Sequence, residues 1–142
     1  MRVLLFFAVL SLAHADDRAL LQAIAHVENH KWSDPGGRYA LRYAVWSDRT
    51  ALPYRLASQE RFATPVALSH LAWLKIQLKR QGIAPTPYVL AGCWRSGLTR
   101  WTSGKAPASH RDYAARVVAL YEEATLVRLS APSRLVLSAQ VP

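Results

Sequence analysis

The sequence predicts a mainly α, single-domain fold of about five helices, and three observations carry that expectation. Apolar residues recur at three- and four-residue spacing over most of the chain, while the strict alternation of a strand is scarce. Thr, Pro and Gly stand where such helices would begin and end. A chain of 142 residues can bury one core but not two.

Met1 and Arg2 give a short positive start, Val3 to Leu12 are apolar, and Ala13-His14-Ala15 has the small-x-small pattern of a cleavage site. Residues 1–15 therefore read as a secretory signal peptide, with an uncleaved anchor as the alternative. The apolar run is far shorter than the roughly 20 residues that span a bilayer. Export, to periplasm or medium, is the expectation for the remaining domain, residues 16–124, and its tail, residues 125–142.

The first helix is expected from Asp16 or Asp17, acids that suit a helix N-terminus, to near Glu28. Asp34-Pro35-Gly36-Gly37 is a turn signal, and Tyr39 to Trp46 reads as a short helix. Ala51 to Arg61 reads as an irregular connection with one turn around Leu56. Thr64 as N-cap and Pro65 at the first helical position open a long helix, with Ala67, Leu71, Leu74 and Leu78 inward and Gly82 at its end. Thr86-Pro87 repeats the start signal for a helix through about Trp94, ended by Gly97. Ser109 and Asp112 resemble a capping box for a last helix through about Glu123, with Val117, Leu120 and Tyr121 inward. From Thr125 onward the pattern is weak and Pro132 interrupts it.

Eighteen Lys and Arg oppose nine Asp and Glu, and loss of Arg2 with the signal would lower the net charge from +9 to +8. Fourteen of these cations are Arg, spread along the chain, which points to a partner carrying negative charge. For an exported protein an anionic cell-wall polymer or envelope surface fits better than nucleic acid. Cys93 is the only cysteine, so no intrachain disulfide can form. Beside Trp94 in an apolar stretch, it reads as a small buried hydrophobe.

Glu28 is the leading candidate for chemistry. Leu21, Ile24 and Glu28 share one face of the first helix, which places a carboxylate toward the core. A poorly solvated carboxyl group holds its proton closer to neutral pH and can act as a general acid. The competing expectation is a Glu at a helix end, paired with one of the arginines. Asp34, Asp48 and Glu60 are the other carboxylates considered as a second acid. Tyr39, Trp46, Trp94, Trp101 and Tyr113 offer flat rings for sugar faces, and Trp73 reads as structural.

Ala23-Ile-Ala-His-Val-Glu28, Tyr39-Ala-Leu-Arg-Tyr-Ala-Val-Trp46, the helix from Val66 to Gly82, Leu90-Ala-Gly-Cys-Trp-Arg-Ser-Gly97 and Asp112-Tyr-Ala-Ala-Arg-Val117 occur in an order that resembles the lysozyme-like domain of soluble lytic transglycosylases. The resemblance covers roughly Asp17 to Glu123. It implies cleavage of the β-1,4 bond between N-acetylmuramic acid and N-acetylglucosamine in peptidoglycan. Glu28 would be the single catalytic acid and then base, and Tyr39, Trp94 and Tyr113 would contact substrate. No cofactor is implied. Two positions depart from the pattern: Ala40 stands where the family carries Gln, and Arg95 where it carries Asn. The alternative is a glycan-binding or envelope-interaction module on a degenerate lysozyme-like fold. His26 and His30, at i and i+4, lack the zinc-protease order and a third ligand, so no metal is expected.

Overall fold

A computed structural model describes the backbone of residues 3–131 and side chains from residue 16 to 131. The chain folds as a mainly α domain, with six α-helices and no strand among the described residues. Helix α1 spans Val3–Glu28, α2 Tyr43–Arg49, α3 Glu60–Arg80, α4 Pro87–Ser96, α5 Leu98–Thr102 and α6 Ala108–Ser130. Two 3₁₀ turns, Gly37–Tyr39 and Tyr54–Ser58, lie on either side of α2. Among the described residues no helix is long and apolar enough to cross a membrane.

Helix α6 packs along both α4 and α1, and α3 closes the core from the other side against α1 and α2. The seams are the apolar stripes of the sequence: Leu21 and Ile24 of α1, Leu71, Leu74 and Leu78 of α3, and Val117 of α6 are almost wholly buried. Lys75 of α3 pairs with Asp17 of α1 at the edge of this core.

Several boundaries differ from the sequence expectation. The first helix begins at Val3, not at Asp16 or Asp17, and runs unbroken through Ala15. No Gly or Pro lies between Val3 and Glu28 to stop it. Helix α3 begins at Glu60, so Pro65 lies in its second turn and Thr64 is no cap. The Arg61 carbonyl loses its helical partner there, but Arg61 is exposed and water can replace it. Gln59 provides the N-cap, its carbonyl accepting from Phe62 and Ala63. The Tyr39–Trp46 segment divides into a 3₁₀ turn and the start of α2, because Ala40 between them is left-handed at φ 49°. Helix α5 has no counterpart in the expectation.

Helix α6 starts at Ala108 without a side-chain cap and continues through Thr125 to Ser130, into what had read as the tail. Leu126, Val127 and Leu129 in this extension are exposed. Residues 132–142, the rest of the expected tail, lie outside the described residues.

The remaining punctuation acts as its chemistry demands. Thr86 accepts a hydrogen bond from Val89 N and caps α4 behind Pro87. Gly82, left-handed at φ 72°, closes α3, with its N–H on the Lys79 carbonyl and that of Ile83 on the Leu78 carbonyl. Gly92 is needed for a different reason: a Cβ there would lie 2.3 Å from the Trp101 ring, so α5 can seat on α4 only over a bare backbone. Gly92→Ala should destabilise the domain by on the order of 1–3 kcal/mol, read as a lower midpoint in urea unfolding.

Candidate functional site

Helix α1 ends immediately after Glu28, because Asn29 turns left-handed at φ 55° while its N–H still bonds the Ala25 carbonyl. Asn is among the few residues that adopt this conformation readily. Glu28 is thereby fixed at the last helical position, with its side chain on the buried face that Leu21 and Ile24 define. Only 4% of that side chain is exposed.

Its partner comes from α4, 67 residues along the chain. Arg95 Nη1 donates to Glu28 Oε2 at 3.3 Å, and the Arg95 side chain is 47% exposed. The guanidinium also lies 5.6 Å above the Tyr113 ring. Glu28 therefore combines the two sequence expectations, a carboxylate on the buried face and an acid at a helix end paired with an arginine. Arg95 is the residue that covers it.

Tyr113, on the first turns of α6, completes the cluster. Its hydroxyl is buried and makes no hydrogen bond of good geometry. Burial first, and the Glu28 carboxylate second, push the phenol far above its ordinary range, with Arg95 and Arg116 opposing. Tyr113 thus stays a neutral donor placed close to the acid.

Tyr39 and Trp94 lie elsewhere. Both are buried, and Trp94 Nε1 donates to the Tyr39 carbonyl at 3.1 Å. The Tyr39 hydroxyl is paired with Thr64 Oγ1 at 2.9 Å, in the wall of a groove that also holds Arg18 and Glu60. The structure therefore brings Glu28 and Tyr113 together and leaves Tyr39 and Trp94 as core residues that position their backbone. Arg42 strengthens this arrangement by donating to the Trp94 carbonyl at 3.2 Å.

The other acids are occupied differently. Asp34 accepts from Lys31 N within its turn at 2.6 Å, Glu60 opens α3, and Asp48 lies in the last turn of α2. His26 and His30 do not share a helix face, since α1 stops at Glu28 and His30 lies beyond the left-handed Asn29. Both line a groove of about 770 Å³ between α1 and α6, together with Asn29, Arg38, Arg116 and Leu120.

A second cavity, of about 440 Å³, opens between α2, α3 and the α4–α5 junction. Cys93 and Ser96 of α4 line it, whereas Arg95 between them turns to Glu28. Cys93 is 1% exposed, and burial pushes its thiol up to about 12, so it is a small core residue and a poor nucleophile. Sequence reasoning missed this cavity. Trp73 of its wall read as structural, and His70 beside it stands in no local motif.

His70 is 9% exposed, and desolvation, reinforced by Arg49 and Arg42, lowers its pKa to about 4. A histidine depressed in the folded state favours folding above its ordinary pKa near 6.5 and opposes it increasingly as pH falls toward 4. No family model, curated protein or solved structure matches this chain. Urea unfolding should show stability falling between pH 6.5 and 4, by up to roughly 3 kcal/mol from this group. His70→Gln should flatten that part of the profile.

Proposed function

We propose that the domain is an exported lytic transglycosylase that cleaves peptidoglycan glycan strands, with Glu28 as acid and then base. The observation that carries this reading is the setting of Glu28: a nearly buried carboxylate, fixed at a helix end, beside the unpartnered Tyr113 hydroxyl and one half-exposed side chain away from water. The reading also rests on the resemblance of the ordered segments from Asp17 to Glu123.

Cleavage of a β-1,4 glycosidic bond requires a proton on the leaving oxygen and stabilisation of oxocarbenium character. In this scheme Glu28 gives that proton and then removes one from the C6 hydroxyl of the same sugar, whose oxygen closes onto C1. The product is a 1,6-anhydro ring, and no second carboxylate is consumed. That economy suits a site in which Asp34, Asp48 and Glu60 are placed elsewhere. Tyr113, as a neutral donor, would hold the carboxylate or the C2 substituent of the sugar. Arg95 must leave the carboxylate before a sugar can approach, and its exposed, unbranched side chain can do so.

The Arg95 contact also favours a second reading, a glycan-binding module in which the pair has replaced catalysis. Murein incubation with mass spectrometry of the soluble products separates the two. The unmutated domain should release 1,6-anhydro muropeptides. Glu28→Gln should reduce release by about 10²-fold or more, as expected for loss of a general acid. Arg95→Asn should raise release several-fold by uncovering the acid. Water-adduct products without the anhydro ring would overturn the transglycosylase route in favour of a lysozyme-type hydrolase, and murein binding with no soluble products from either the unmutated domain or Arg95→Asn would overturn the enzyme reading and establish the binding module.

A further inference from the structure

The cavity beside α4 does not share its wall with Glu28 or Tyr113, and its chemistry is different. Arg42, Arg49 and Arg100 face it against a single carboxylate, Asp48. Among the described residues none of these arginines has a carboxylate within ion-pair distance. Cations gathered around a concave, partly apolar surface reinforce one another's field and raise the local concentration of anions.

Two polar atoms in the wall are buried without partners, His70 Nδ1 and Arg49 Nε. Buried polar groups are rarely left without a partner, so these two signal a missing one. Both side chains are held in place by Trp73. The His70 ring stacks on it at 14°, with centroids 5.7 Å apart, and the Arg49 guanidinium lies 4.7 Å above it. The wall is therefore preorganised before any ligand arrives. With its pKa lowered to about 4, His70 is neutral at pH 7 and can donate from Nδ1 when the proton is on that nitrogen. Planar guanidinium groups match the paired oxygens of carboxylates and phosphates. Val45, Leu74, Leu98 and the Trp73 ring supply the apolar remainder, and a volume of about 440 Å³ is that of a small-molecule site.

We infer that this cavity binds a small organic oxyanion, a carboxylate or phosphate monoester carried on a flat apolar body. Arg49 and Arg100 take the charge, His70 gives a hydrogen bond, and Val45, Leu74 and Leu98 pack against the body. The inference does not depend on the role of Glu28.

Isothermal titration of the unmutated domain with benzoate, phenyl phosphate, inorganic phosphate and benzyl alcohol tests it. Benzoate or phenyl phosphate should bind saturably, and the tighter of the two identifies the preferred head group. Benzyl alcohol should not bind, and inorganic phosphate should bind at least tenfold more weakly than the preferred aromatic anion. Arg49→Met and Arg100→Met should each weaken binding tenfold or more, while Arg61→Met, outside the cavity, should leave it unchanged. Arg100 is exposed, so its variant remains informative if loss of Arg49 from Trp73 unfolds the domain, as circular dichroism would reveal. No saturable binding of either aromatic anion would overturn the inference. Equal weakening by Arg61→Met would do the same, by reducing the effect to general charge. Inorganic phosphate binding as tightly as the aromatic anions would remove the apolar body from it.

Discussion

The rest of the structure depends on the buried contact between the Trp94 indole and the Tyr39 carbonyl. It joins the α1–α2 connection to α4 across 55 residues of chain. Arg42 returns the link by donating to the Trp94 carbonyl, so the two segments are bonded in both directions. Once α4 is held there, α6 can pack against it and α1 together, and Tyr113 comes to the end of α1. The cavity beside α4 has the same origin, since Arg42 anchors one of its rims. Removing the indole N–H would leave a buried carbonyl without its partner and loosen both places at once.

The same tie accounts for the backbone at Ala40. An alanine in the left-handed region costs about 1 kcal/mol or more, and a residue adopts it only where its surroundings insist. Here they do: the Tyr39 carbonyl is committed to Trp94, the Leu41 carbonyl accepts from Tyr54 Oη at 2.6 Å, and Leu41 N reaches back to the Gly36 carbonyl. The chain must reverse within one residue. What reads in the sequence as a lost amide is also a position whose backbone, not its side chain, performs the structural task.

Local chemistry made much of the fold legible. The stop at Gly82, the Thr86-Pro87 start and the stripe through Leu71, Leu74 and Leu78 depend on neighbours within a turn or two, and the burial of Glu28 followed from the helix period alone. Pro65 misled because a strong start signal was overridden by Phe62 and Ala63, whose packing extends the helix one turn earlier. Helix α5 is too short to show a period. At the candidate site, the acid and Tyr113 were found, but the Arg95 pairing joins residues with no local relation. The cavity was invisible for the same reason: its wall is shared among α2, α3, α4 and α5, and only the tertiary packing brings their residues together.

The exposed side of the Arg95–Glu28 contact has a consequence for occupancy. Glu28 is nearly buried, so parting the pair is costly unless water follows the guanidinium out, and the half-exposed Arg95 is the side through which water can enter. The uncovered arrangement is therefore a minor one, and a ligand that needs it loses apparent affinity in proportion to that fraction. The acid is thus covered in the dominant conformer while remaining available to the population as a whole.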